Sequence, residues 1–345
     1  MGDVLEFSNT RINSSELNSG NYVSTENILQ NFQGIVKARS IPEDTNVMAF
    51  SCGNILLSNI RPYLKKVWKA TFNGGCSSDV FVLQANSNID ADYLHYVVAN
   101  DKFIGFVMNG AKGVKMPRGD KNQMKTYSLS LPSIKEQRKI SRFLSFLDER
   151  IAVQNRLIDR LQSLMIGIRH RIINEAKGKI VCLCEVSDIY QPQTISSADL
   201  TETGYPVYGA NGIIGHYTSY NHEAEQVCIT CRGNTCGGVN YTKSKSWITG
   251  NAMVVNVDRY QNIVSKRYLY HYLSNCDFNS IISGSGQPQI VRAPLAKFKI
   301  ILPTVMQQYK IAHCLDVIQN KINVNSNILN LLIRQKQYLL RKMFI

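Results

Sequence analysis

The chain has 345 residues, 44% of them hydrophobic, which is enough for more than one domain with its own core and argues against wholesale disorder. A formal net charge of +14 and a pI near 9.3 favour a polyanionic partner, with nucleic acid ahead of membrane because no basic amphipathic anchor is present. No apolar run reaches transmembrane length, and the N-terminus MGDVLEFSNT has no basic-then-apolar signal pattern, so a cytoplasmic location is expected.

In chain order, GNILLSNIRPYLKKVWKATFNGGCSSDVFVL (53–83) reads as strand, basic turn, strand, glycine-containing loop and strand. ADYLHYVVANDKFIGFVMNGAKGVKMPRGDKNQMKTYSLSLP (91–132) predicts a short Tyr/Leu helix, a Gly-rich loop and a β-like run ending in Leu-Pro. A long helix follows, with Pro132 before it and Ser133 as its N-cap. Its apolar residues Ile140, Leu144, Leu147, Ile151, Ile158, Leu161, Met165 and Ile168 step by four and three, a heptad seam that skips only Gln154. KGKI at 177–180 ends the helix and opens a second domain.

The second half repeats the first. EQVCITCRGNTCGGVNYTKSKSWITGNAMVV (225–255) parallels 53–83, and KRYLYHYLSNCDFNSIISGSGQPQIVRAPLAKFKIILP (266–303) parallels 91–132. LPSIKEQRKISRFLSFLDERI (131–151) returns as LPTVMQQYKIAHCLDVIQNKI (302–322), an offset of 171 residues. Thr304 caps this helix, and Ile311, Leu315, Ile318, Ile322, Leu329, Leu332 and Leu339 form its seam, which skips Asn325. About 40 residues per helix corresponds to about 60 Å. If the helices pack antiparallel about a pseudo-two-fold axis, Gln154 and Asn325 face each other and set register. Lys336 breaks the second seam, so that end is expected to fray or to meet another protein. Asp148–Glu149 reads as a solvated or partner-facing pair.

Catalytic signatures are missing. There is no phosphate-binding G-x-x-x-x-G-K-[ST] loop, no strand–G-x-G-x-x-G–helix unit, no Asn-Pro-Pro-aromatic run, no zinc-protease histidine pair and no G-x-S-x-G elbow. GSG at 284–286 reads as a turn, and His216 and His222 read as surface polar residues around a Tyr-rich loop. The nine cysteines are an odd number and suit reduced, mostly buried thiols. Cys182 with Cys184, and Cys228, Cys231 and Cys236, are weighed as zinc ligands. The C-x-x-C at 228–231 has no second pair at finger spacing and lies in QVCITC, which alternates like a strand. No metal or catalytic residue is assigned.

The doubled Leu-Pro-x-x-x-[EQ]-Q-x-x-I-x-x-x-L motif with its heptad helices, NILLSNIRPYLKK (54–66) and SGSGQPQI (283–290) together resemble the specificity (S) subunits of Type I restriction–modification enzymes. The likeness spans nearly the whole chain, and the order of domain, helix, domain, helix is its most specific part. It implies an α+β protein: two mixed α/β target-recognition domains (1–131 and 178–302), separated and joined by two long antiparallel coiled-coil helices (132–177 and 303–345), with pseudo-two-fold symmetry. It also implies a non-catalytic chain that reads a split DNA target and docks two methylation subunits, with restriction subunits in the full complex. Adenine methylation and DNA cleavage, with S-adenosylmethionine, ATP and Mg, then belong to the partners. The chain departs from the pattern at Gln307, where the first copy has Glu136, and at Gln319–Asn320, where it has Asp148–Glu149. It is also short, so its first recognition domain is expected to be trimmed at Met1.

A rod longer than one DNA turn of about 34–36 Å predicts half-sites separated by unread base pairs, and unlike domains predict an asymmetric target. Candidate DNA-binding residues in the first domain are Arg61, Tyr63, Lys65, Lys66 and Lys69, with Lys112, Lys115, Arg118 and Lys121 around the Gly-rich loop. In the second they are Tyr208, Asn211, Tyr217, Arg232, Asn234, Gln287, Gln289 and Arg292. Lys and Arg would hold phosphates, Arg grips guanine, and Asn and Gln grip adenine. Three other readings stand beside this one: the recognition chain of a compact system whose partner fuses cleavage and methylation, a basic coiled-coil scaffold that reads no sequence, and a zinc-dependent enzyme.

Overall fold

A computed structural model describes residues 1–210, 212–284 and 286–344. Its helices are α1 (Ala91–Val98), α2 (Asp101–Asn109), α3 (Lys121–Lys125), α4 (Ile134–Glu175), α5 (Leu183–Val186), α6 (Lys266–Leu273), α7 (Arg292–Ala296) and α8 (Val305–Met343). No helix among the described residues is long and apolar enough to cross a membrane.

Two compact units emerge: Met1–Asn155 with Asn327–Ile345, and Arg156–Ser326. The division runs through both long helices, so each unit owns one globular part and half of each helix. The reason is packing. The helical seams are continuous with the globular cores, and a seam residue belongs to the core that covers it.

In the first unit, a four-stranded antiparallel sheet has the order Leu5–Phe7, Val80–Ala85, Ile55–Ser58, Val67–Lys69. Its centre, VFVL and ILLS, is buried on both faces and so reads as unbroken apolar runs rather than alternation. A second sheet joins Arg11–Asn13, Asn46–Phe50, Gly74–Cys76 and Tyr22–Val23. The main core gathers Leu57, Phe81, Leu83, Tyr93, Leu94 and Phe103 with Leu144 and Leu147 of α4 and Leu340 of α8. The start of α4 thus shares a core with the end of α8.

The second unit repeats this plan. The order Asp188–Tyr190, Ala252–Asn256, Val227–Thr230, Val239–Tyr241 matches the first sheet, and the pairing Leu57↔Phe81 has its counterpart in Ile229↔Met253. Here Ile173 near the end of α4 shares the core with Ala312 near the start of α8, and Met165, Leu315 and Ile322 form the seam. Within each unit the two helices therefore run antiparallel, as the resemblance implies. The caps hold as well: Ser133 Oγ accepts the Glu136 N–H at 3.3 Å, and Thr304 Oγ1 accepts the Gln307 N–H at 3.4 Å.

Some expectations hold and three need correcting. The β-like run before the second long helix is a strand as expected, Lys299–Leu302, and Lys179–Cys182 pairs with it. Its counterpart at 128–131 is not a strand, since no described segment pairs with it. Lys336 neither frays nor faces outward; α8 continues to Met343, and the Lys336 ammonium pairs with Asp148. Asp148, with 38% of its side chain open to solvent, also accepts the Tyr96 hydroxyl at 2.9 Å. His222 is buried rather than on the surface, with Nε2 2.8 Å from the Tyr190 hydroxyl. Cys228 is buried as expected, in a core with Tyr208, Ile248 and Val254, where burial pushes its thiol up to about 12. The described residues contain no grouping of three side chains able to hold a metal.

Candidate nucleic-acid interface

The short helices α1 and α6 are anchored to the long ones by one residue of the repeated motif. Gln137 is fully buried; its side-chain oxygen accepts the Asp90 N–H at 2.8 Å and its amide donates to the Pro132 carbonyl at 3.0 Å. Gln308, 171 residues later, accepts the Ser265 N–H at 2.8 Å and donates to the carbonyls of Ile263 and Pro303, both at 2.9 Å. Asp90 and Ser265 are the N-caps of α1 and α6. A buried carboxamide thus satisfies backbone groups that would otherwise be orphaned, and it fixes the globular part on the helix.

Against this frame the first unit presents two joined loops. The turn after Ile55–Ser58 puts Arg61 and Lys65 in the left-handed region, at φ 50° and 54°. The Arg61 N–H donates to the Pro117 carbonyl at 2.8 Å, which ties the turn to the loop 112–118. That loop is closed by reciprocal backbone bonds between Lys112 and Arg118, both 2.9 Å, and turns at Gly113, φ 96°. Arg61, Tyr63, Lys112, Lys115 and Arg118 are exposed on these two loops. Arg118 also meets Asp79 at 3.2 Å and Lys112 meets Asp120 at 2.9 Å, surface pairs weak enough to exchange for a phosphate. Lys121 begins α3 and lies over the rings of Phe7 and Phe81 at 5.3 and 5.4 Å.

In the second unit the Arg232–Asn234 turn is joined to the loop leading to Gln289–Ile290 in the same way. The Gly233 N–H donates to the Pro288 carbonyl at 3.0 Å, and Arg232 bridges to Gln289. Arg232, Asn234, Gln287 and Arg292 are exposed, and Gln289 is half-buried. The Thr235 hydroxyl donates to the Ala210 carbonyl at 3.0 Å, which brings the Tyr205–Gly209/Gly212–Tyr217 hairpin alongside. Tyr217 packs edge-on against Trp247 at 5.2 Å on that hairpin.

The two loop pairs match closely. At an offset of 171, Gly113 corresponds to Gly284, Met116 to Gln287, Pro117 to Pro288, Arg118 to Gln289 and Lys121 to Arg292. In the turns the offset is 172: Ile60 bridges to Arg118 as Arg232 does to Gln289, and the Arg61 N–H bond to Pro117 is the counterpart of the Gly233 bond to Pro288. Gly113 and Gly284 share φ 96°, and Lys112↔Arg118 repeats as Ser283↔Gln289. A duplicated backbone therefore carries different side chains, which is what two readers of unlike half-sites require.

Several other candidates are engaged within the protein. Lys65 pairs with Asp101 at 2.7 Å, Lys69 with Asp92, and the Lys66 ammonium donates to the Thr25 carbonyl at 2.5 Å. These three tie the sheet and turn to α2, α1 and the N-terminal segment. Tyr208 is 6% exposed and its hydroxyl accepts the Lys243 N–H at 3.1 Å, so it is a core residue, not a reader. Asn211 lies outside the described residues. Gln154 is half-buried; Asn325 is buried and donates to the Lys321 carbonyl at 2.7 Å. Exposed apolar side chains carry no charge signal in the sequence: Val114 and Met116 in the loop 112–118 of the first unit, and Ile213 and Ile214 on the strand Gly212–Tyr217 of the second.

The model of the Type I restriction modification DNA specificity domain matches residues 1–163 and again 176–334. The chain belongs to that specificity-domain family. Both matched stretches coincide with the duplicated halves, so the Type I specificity fold occurs twice in one polypeptide. The specificity subunit of the Type I restriction enzyme EcoprrI of Escherichia coli is 31% identical over 148 residues, 41% of this chain and 36% of that protein. The chain thus spans about a third of that curated relative. The S subunit of a Type I restriction–modification system from M. genitalium has the same fold: TM-score 0.70 at 16% identity, covering 100% of this chain and 94% of that one. A second solved chain, from work on complex assembly and conformational transition of the type I R-M system, covers 99% of this chain and 95% of its own, with a TM-score of 0.58 at 20% identity.

Proposed function

We propose that this specificity-family chain is the DNA-recognition and assembly subunit of a Type I restriction–modification complex. Each unit reads one half of a bipartite, asymmetric double-stranded target. The long helices dock two methylation subunits, and restriction subunits join in the full complex. The observation that carries this reading is the pair of equivalent loop clusters, one per unit, built on the same backbone and bearing different exposed Arg, Lys, Met and Gln side chains.

The chain itself binds and positions DNA, and catalysis belongs to the partners. S-adenosylmethionine, ATP and Mg are used there, in the cytoplasm. Lys112, Lys115 and Arg118 supply phosphate contacts, and Arg61 and Arg232 hold the loop bases against the backbone. Gln287 and Gln289 suit the paired donor and acceptor of adenine in the major groove. With six to ten phosphates neutralised, affinity falls on the order of a thousandfold or more between 50 and 200 mM salt.

The test is co-expression with the methylation polypeptide encoded beside it, followed by genome-wide mapping of modified adenines. A split, asymmetric motif with an unread gap is expected. An assembled complex that binds S-adenosylmethionine yet marks no motif would overturn the reading.

A further inference from the structure

We infer that the tip of the 112–118 loop recognises thymine through its C5 methyl group in the major groove, with Val114 and Met116 as the contacting side chains. This deepens the DNA-reading role proposed above and rests on it. Val114 is 100% exposed and Met116 46% exposed, an apolar pair that no part of the core covers. Both sit at the end of a narrow ribbon closed by the Lys112–Arg118 backbone pair, and the major groove admits a two-stranded ribbon. The base of the ribbon is fixed by the Arg61–Pro117 bond and by the turn at Gly113.

The surroundings match DNA. Lys112, Lys115, Arg118 and Arg61 flank the apolar tip, which suits phosphates on either side of a groove. The only apolar group on a major-groove base edge is the thymine methyl, and it selects apolar side chains. A basic, apolar loop also suits an anionic lipid surface, but the second unit argues against that. At the position of Met116 it carries Gln287, and at Arg118 it carries Gln289, on the same backbone. One location thus bears thymine-reading chemistry in one unit and adenine-reading chemistry in the other.

The experiment uses the full chain with its methylation partner and the target motif mapped as above. Thymines in each half-site are replaced one at a time by deoxyuridine, which removes only the methyl group. Wild type is expected to lose about fourfold in affinity at one or two positions of a single half-site, the effect of one buried methyl-sized group. The variant Val114→Ser/Met116→Gln, with its thermal stability unchanged, is expected to bind thymine and uracil duplexes alike and to keep the other half-site intact. A mapped motif indifferent to every thymine-to-uracil change, or equally sensitive in wild type and variant, would overturn the inference while leaving the recognition role standing. So would binding to phosphatidylserine vesicles that depends on Val114 and Met116 while DNA affinity does not. A wild-type complex with no motif at all removes both readings.

Discussion

The side-chain oxygen of Gln308 accepts the backbone N–H of Ser265 across 43 residues of chain, at 2.8 Å, with both residues buried. Gln137 does the same for Asp90. The glutamine of the repeated Leu-Pro motif is therefore a structural latch between a domain and its helix. Gln308→Ala should leave the N–H of Ser265 and the carbonyls of Ile263 and Pro303 unpaired and cost about 3 kcal/mol. The exposed Gln307→Ala, which removes only capping contacts, should cost about 1 kcal/mol or less. Thermal or urea unfolding of the two variants separates them, and equal losses would refute the latch.

Asp148 and Lys336 lie 188 residues apart and pair inside the first unit, where Tyr96 donates its hydroxyl to the same carboxylate. Burial, with Asp148 beside it, raises the Tyr96 pKa, so the phenol stays a donor. At the 171-residue offset the second unit carries Gln319 for Asp148 and Met165 for Lys336. Asp148→Gln alone strands a mostly buried ammonium and should cost about 2 kcal/mol. Adding Lys336→Met should recover about half of that or more, a coupling measurable in a double-mutant cycle. Strictly additive losses would show that the pair is not coupled.

His271 is fully buried and held 2.8 Å from Asp316. Burial pushes its pKa down to about 4, against the opposing pull of the Asp316 hydrogen bond. It is therefore neutral at pH 7 and donates Nε2–H to Asp316, while Arg267 supplies that carboxylate's charge partner. Burial alone would raise the Asp316 pKa, but its bonds from Arg267 and His271 hold it below the usual range. The sign for His271 follows from linkage. The unfolded chain takes up a proton near pH 6.5 that the folded imidazole refuses, so its contribution is intact above that pH and is lost as pH falls toward about 4. The loss is on the order of 3 kcal/mol. Unfolding free energies between pH 7 and 4.5 should fall more steeply in wild type than in His271→Gln; parallel curves would contradict the assignment.

Gly284 adopts φ 96°, and a Cβ there would collide with the Gln287 carbonyl oxygen. Gly284→Ala should reshape the loop carrying Gln287 and Gln289, with a local cost of about 1–3 kcal/mol. Its expected signature is loss of sequence preference in the second half-site alone, read from the modified-adenine motif of the variant complex. An unchanged motif would mean that this loop does not read bases.

Much of this protein was legible in its sequence. Heptad steps, the Ser133 and Thr304 caps and the strand–turn–strand order are local features. Each is set by residues a few positions apart, so the chain displays them without folding. The duplication is also explicit, and the offset of 171 places Gln137 with Gln308 and Gly113 with Gly284. Lys336 looked like a defect in a heptad because its partner is 188 residues away. Tyr208 looked like a reader because its sequence neighbourhood is loop-like, yet its hydroxyl is used by a backbone N–H 35 residues on. The run at 128–131 has strand composition but no edge to pair with, and a strand without a ladder does not form. Composition and period thus determined which elements exist and that they come in two copies. The tertiary structure alone decided which polar groups are consumed inside the protein and which side chains, like Val114 and Met116 at their loop tip, stay exposed. That depends on which distant segments meet, and no local pattern records it.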